Sequence, residues 1–134
     1  MASTTTIENG RARQALEDVT EAAEAGDDVA DKYGSYVKNL PALIQTNGLG
    51  TAMAFVKSKG TGSGTDATAY ALLYQHVSGW LQAETNEHLL AGADTDSDDL
   101  VAQLVSLEST PYRMATRETY TYLHWLRRLA DGTL

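Results

Sequence analysis

Residues 110–130, TPYRMATRETYTYLHWLRRLA, fit one regular structure. At about 100° per residue, Tyr112, Ala115, Thr119, Tyr122, Leu123, Leu126, Leu129 and Ala130 fall on one side of a helix. Arg113, Arg117, Tyr120, His124, Arg127 and Arg128 fall on the other. A strand, with its period of two, would mix the two sets. Thr110 is a candidate N-cap, Pro111 suits the first helical position, and Asp131-Gly132 offers a stop. The helix therefore has a stripe to bury and a basic, partly aromatic stripe to expose.

The same period recurs upstream. Residues 1–5 read as a frayed start. Residues 6–25 predict an acidic helix with Ile7, Ala12, Leu16, Val19 and Ala23 on its core face, weakened by Gly10 and ended by Gly26. Asp27 and Asp28 open a second helix, with negative charge at its positive end. Along it Val29, Tyr33, Val37 and Leu40 repeat at helical spacing. Pro41 lacks a backbone donor, which predicts a kink or break at Leu40-Pro41, another turn over 42–46 and closure at Asn47-Gly48. Residues 49–59 predict a short helix with Ala52, Met53, Phe55 and Val56 in the core. A polar loop follows at 60–65. Thr65 or Asp66 then caps a helix to about Glu87, with Tyr70, Leu73, Tyr74, Val77, Trp80 and Leu81 on its apolar side. A second polar loop at 92–99 leads to a helix over 100–107, with Leu100, Leu104 and Leu107 turned inward. No stretch sustains period-two alternation between turn residues. The expectation is an all-α fold, a single domain over 1–134 with about six helices in a compact bundle.

Charge narrows the functional classes. The net charge is −8 and unevenly spread: residues 8–31 and 84–99 each carry −6, 32–83 carry +3 and 100–134 carry +1. Such a field repels phosphate, so nucleic acid can be held only at a local basic surface. The 110–130 helix supplies one, with four of the ten basic residues. Tyr120 and His124 lie among its arginines, as suits a surface that follows a phosphate backbone and stacks on an occasional base. No cysteine is present, which excludes disulfides and thiolate chemistry. The sequence has no apolar run long enough to span a membrane and no signal-like start.

Candidate chemistry is sparse. His76, His88 and His124 have no partner at i+3 or i+4, so no metal site is expected. The run Asp94-Thr-Asp96-Ser-Asp98-Asp99 begins like a calcium loop but has Asp99 where glycine is required and Val105 at the twelfth position. Gly60-Thr-Gly-Ser-Gly follows a helix and lacks the lysine of a phosphate-binding loop, so it reads as a linker. Asn47-Gly48-Leu49-Gly50 reads as a tight interhelical turn that can also present N–H groups to an anion. Glu118 reads as one half of an ion pair with a neighbouring arginine rather than a general base. No catalytic constellation and no cofactor site emerge.

Several blocks occur in order: Lys32-Tyr33-Gly34; Leu40-Pro41-Ala42-Leu43-Ile44; Asn47-Gly48-Leu49-Gly50 with Ala54-Phe55; Trp80-Leu81; Tyr112-Arg113-x-Ala115-Thr116-x-Glu118; and Trp125-Leu126-x-Arg128-x-Ala130. Together, from about Arg11 to Ala130, they resemble the small all-helical subunit of the type III-B CRISPR effector, the Cmr complex. The chain is more acidic than many members.

The resemblance implies a non-catalytic subunit of a cytoplasmic, RNA-guided antiviral effector. In that family, copies of the small subunit stack head to tail into an inner filament beside the backbone subunits that hold the guide RNA. Target RNA lies between the two filaments, paired to the guide. Cleavage belongs to the backbone subunits and signalling to the large polymerase-like subunit. The implied partners are the other Cmr subunits, further copies of the chain and the guide–target duplex, with no membrane. Arg113, Arg117, His124, Arg127 and Arg128, with Lys38, Lys57 and Lys59 as secondary contacts, are the candidates for the RNA backbone. Trp80 and Trp125 read as core or interface anchors. The alternative is a helical adaptor that binds protein alone.

Overall fold

The computed structural model describes residues 6–134, with side chains from Asn9 onward. The frayed start expected at residues 1–5 and the side chain of Ile7 lie outside the described residues. Seven α-helices follow in order: α1 (Thr6–Glu24), α2 (Asp27–Asn47), α3 (Leu49–Lys59), α4 (Thr65–Leu81), α5 (Glu87–Leu90), α6 (Leu100–Val105) and α7 (Ser109–Thr133). One 3-10 turn, Glu84–Asn86, precedes α5, and there is no strand among the described residues. The fold is all-α, as the periodicity requires.

Four long helices form the body. α7 lies against α1 and α2, and α4 against α2 and α3. The centre is a single cluster that includes Val19, Tyr33, Ile44, Met53, Leu73, Leu104, Leu123 and Leu126, each no more than 2% exposed. Burying a side chain of this size stabilises by about 1.5–3 kcal/mol, so α7 is held mainly by its apolar stripe rather than by helix propensity. Trp80 of α4 stacks on Tyr122 of α7 with ring centroids 5.1 Å apart.

Several boundaries depart from expectation for local reasons. Pro41 does not break α2, which runs unbroken to Asn47. The lost hydrogen bond costs roughly 3 kcal/mol; burial of Val37, Leu40 and Ile44 on either side of it offsets that. α1 likewise passes through Gly10. α4 stops at Leu81, not near Glu87, and starts from Gly64 at φ 101°, with no side-chain cap from Thr65 or Asp66. Its stop is set by Asn86, almost fully buried, whose amide donates to the Trp80 carbonyl at 2.9 Å. The residues beyond become the 3-10 turn and α5, which raises the helix count from six to seven. α6 ends at Val105, where the Ser106 hydroxyl donates to the Gln103 carbonyl. Glu108, not Thr110, holds the N-cap position of α7, without a side-chain capping bond; Pro111 falls in the first turn rather than at the first position, and the helix continues through Asp131-Gly132 to Thr133.

Two core assignments are also corrected. Leu16 is 50% exposed; the inward face of α1 is Ala15, Asp18, Val19 and Ala22. Phe55 is 41% exposed on the outside of α3. In α1 small alanines and a polar residue make the close contact, so the hydrophobic pattern alone gives the wrong phase.

Candidate functional site

α7 presents the basic surface. Its inner side buries Ala115, Thr119, Tyr122, Leu123, Leu126 and Ala130. With that side fixed, Arg113, Arg117, His124, Arg127 and Arg128 are exposed, and Tyr120 and Trp125 are half-buried beside them. At 1.5 Å per residue, Arg113 and Arg128 are roughly 22 Å apart along the axis. None of the four guanidinium groups has a carboxylate within ion-pair distance among the described residues. Arg113 makes one long contact, to the Thr110 hydroxyl at 3.4 Å.

The acid in the middle of the stripe points away from it. Glu118 is the only acid between residues 109 and 130. It turns inward and takes a bidentate pair of hydrogen bonds from Arg11 of α1, at 2.6 and 2.7 Å. A third comes from the Trp80 indole N–H at 2.8 Å. The ion pair expected for Glu118 is present, with a partner 107 positions away rather than a neighbour. A carboxylate with three donors is a fastener between helices.

A cleft of about 440 Å³ runs beside the first half of the stripe, between the α2–α3 turn and α7. Gly48 and Leu49 form one wall; Tyr112, Arg113, Thr116, Arg117 and Tyr120 form the other. The Tyr112 hydroxyl accepts the Gly50 N–H at 2.7 Å and ties the start of α7 to the start of α3. That N–H is one of the donors expected of Asn47-Gly48-Leu49-Gly50 toward an anion. Here it is used internally, and Gly48 sits at φ 88°, as a tight turn requires.

The three lysines are scattered. Lys38 of α2 lines a cavity of about 660 Å³ together with Ala130 and Asp131, near the end of the α7 stripe. Lys57 pairs with Asp99 at 3.2 Å, and Lys59 lies over the Phe55 ring at 5.5 Å. Both are at the opposite end of α3 from the Tyr112 contact, so the structure does not join them to the α7 surface.

The remaining polar groups serve the fold. Asp99 caps α6 by accepting from the Ala102 N–H, and also accepts the Tyr74 hydroxyl at 2.7 Å. Burial acts to raise its carboxyl, but hydrogen bonds from Tyr74 and Lys57 hold it below the usual 3.8. His76, nearly fully buried, bridges the Tyr33 hydroxyl and the Glu21 carboxylate, each at 2.7 Å. No group of three or more potential metal ligands exists among the described residues. None of the described helices is long and apolar enough to cross a membrane. Sequence reasoning missed the buried Asp18; its signal was an acid at i+3 from Ala15 and i−4 from Ala22, inside a stripe of small apolar residues.

Residues 7–133 match the family described as CRISPR-associated protein (Cas_Cmr5). That span is nearly the whole chain, and the protein belongs to this family, the small-subunit family of type III-B systems. Membership places it in the CRISPR Cmr complex, as a member of a non-catalytic small-subunit family.

Proposed function

We propose, from membership of the Cmr small-subunit family, that this protein lines the path of target RNA in the assembled effector. Copies stack into the inner filament, and α7 faces the guide–target duplex. Arg113, Arg117, His124, Arg127 and Arg128 hold phosphates, while sequence is left to base pairing. Lys38 extends this surface at its far end, and Lys57 serves as a secondary contact. The protein performs no catalysis of its own and works in the cytoplasm.

One observation carries the reading. In a chain of net charge −8, the guanidinium groups along one helix face are left without carboxylate partners among the described residues. Between Arg113 and Arg128 the one acid in the sequence, Glu118, is turned inward onto Arg11, while Glu108 and Asp131 stand at the two ends of the helix.

The test is a salt series on the assembled effector. Arg113→Glu with Arg117→Glu leaves the fold intact, because both side chains are exposed. Target RNA binding should weaken, and the slope of log K against log salt should flatten by about 0.7–0.9 per lost phosphate contact. Binding unchanged across the series would sink the RNA assignment and favour the adaptor that binds protein alone.

A further inference from the structure

A groove of about 540 Å³ opens between the second half of α2 and the facing sides of α3 and α4. Buried Leu40, Val56 and Leu73 form its floor, and Tyr36, Tyr70 and Phe55 its aromatic wall. Tyr36 and Tyr70 stack with centroids 3.8 Å apart, and Phe55 meets Tyr70 edge-on at 6.0 Å. Phe55 is 41% exposed, although an interior position for a phenylalanine lies directly beside it at Val56.

The charge around the groove is unlike that of the rest of the chain. Residues 32–65 contain all four lysines and no acid. Asp66 meets the Tyr36 hydroxyl at one edge of the groove and is paired there with Lys32; the rim otherwise has the amides of Asn39 and Asn47, and Lys59 stands over Phe55. Lys59 has no carboxylate partner among the described residues, whereas Lys32 and Lys57 are paired with Asp66 and Asp99.

We infer that this groove seats an acidic amphipathic helix from another subunit, with apolar anchors against the Phe55–Tyr70 wall and a carboxylate on Lys59. Helix-in-groove docking suits a surface with no strand edge among the described residues to extend. A nucleobase fits poorly: Tyr36 and Tyr70 each spend a ring face on the other, and Lys59 takes one face of Phe55. A second copy of the chain fits poorly too. Among the described residues its large exposed apolar side chains besides Phe55 lie singly, Leu16 on α1, Val105 on α6, Met114 on α7 and Leu134 after it, and form no helical stripe. The inference does not depend on RNA contact by α7.

The experiment uses the reconstituted effector with Phe55→p-benzoylphenylalanine in this chain. Irradiation should crosslink it to one segment of a different subunit that has apolar residues at helical spacing and at least one Asp or Glu. Crosslinks to RNA, to another copy of this chain, or to nothing would overturn the proposal. Lys59→Glu and Phe55→Ser should each lower incorporation into the effector at least tenfold, with no change in the thermal midpoint of the isolated chain. Reversing the crosslinked acid to lysine should rescue Lys59→Glu. Normal incorporation of both variants would also overturn it. The Arg113→Glu, Arg117→Glu variant should still crosslink at position 55, which separates this proposal from the RNA reading.

Discussion

Tyr122 donates its hydroxyl to the carboxylate of Asp18, joining α7 to α1 across 104 positions of sequence. Asp18 is only 5% exposed and also accepts from the Gln14 amide at 3.0 Å. His76 lies 3.8 Å away and carries the network on to Glu21 and Tyr33. Four helices thus meet at one acid, and burial drives its carboxyl above the usual 3.8 despite the Tyr122 bond and the nearby His76.

This raised acid gives stability a defined dependence on pH. The folded protein keeps the Asp18 proton longer than the unfolded chain does. Its contribution is therefore largest below pH 3.8 and is lost as pH rises through the raised value. Asp18→Asn should gain on the wild type as pH climbs through that window. Urea unfolding from pH 3.5 to 7 measures it, and a constant difference between the two proteins would contradict it.

Removing the donor alone has the opposite character. Tyr122→Phe preserves the stacking on Trp80 but deprives a buried carboxylate of a bond. The loss should be about 1–3 kcal/mol near neutral pH. Paired with Asp18→Asn in a double-mutant cycle, it should show clear coupling.

The second fastener between α1 and α7 is asymmetric. Arg11→Met removes one partner of a mostly buried pair and should cost about 3 kcal/mol. Glu118→Ala should cost more, because it removes at once the acceptor of two Arg11 bonds and of the Trp80 N–H. Thermal denaturation ranks the two, and the reverse order would refute this account of the cluster.

Asp99 reports on the acid limb. Its carboxyl is held low, so its stabilisation is present above pH 3.8 and disappears as pH falls through the depressed value. Tyr74→Phe should move the Asp99 titration upward toward the ordinary carboxylate range, as read by carboxyl carbon NMR. The same contact and burial push the Tyr74 phenol up to about 12.

Gly48 has φ 88° and ψ 158°, a region open in practice to glycine alone. Gly48→Ala should destabilise by about 1–3 kcal/mol, measured by urea unfolding, even though a methyl group there would meet only the Tyr112 hydroxyl at 3.4 Å.

Much of the bundle could be read in advance because α2, α3 and α7 repeat large apolar residues at helical spacing. In α3 both expected bounds, 49 and 59, hold. The phase of α1 could not be read in this way. Its contact face is Ala15, Val19 and Ala22 around an acid, and the one leucine, Leu16, points outward. Leu16→Gln should accordingly change stability by no more than about 0.5 kcal/mol. Where helices end was legible at Gly26, where glycine takes φ 114°, but not at Leu81, where the Asn86 amide bonds back six residues to the Trp80 carbonyl and no glycine or proline marks the stop. The exposed basic stripe of α7 followed directly from its period. The Phe55 groove did not, because a phenylalanine at helical spacing carries the same signal whether it is covered or bare.

Arg11 reaches Glu118 across 107 positions of sequence, and Asp18 reaches Tyr122 across 104. During synthesis, α1 emerges with a guanidinium and a carboxylate whose counterparts are still about a hundred residues from being made. Until then the bonds to Glu118 and Tyr122 cannot form, and the four-helix junction at Asp18 stays open. Loop closure over that separation costs only slightly more entropy than over half of it, yet it delays the rewarding contacts. The polar pairs that lock the finished bundle thus also postpone its completion until the α7 segment carrying Glu118 and Tyr122 is free to fold.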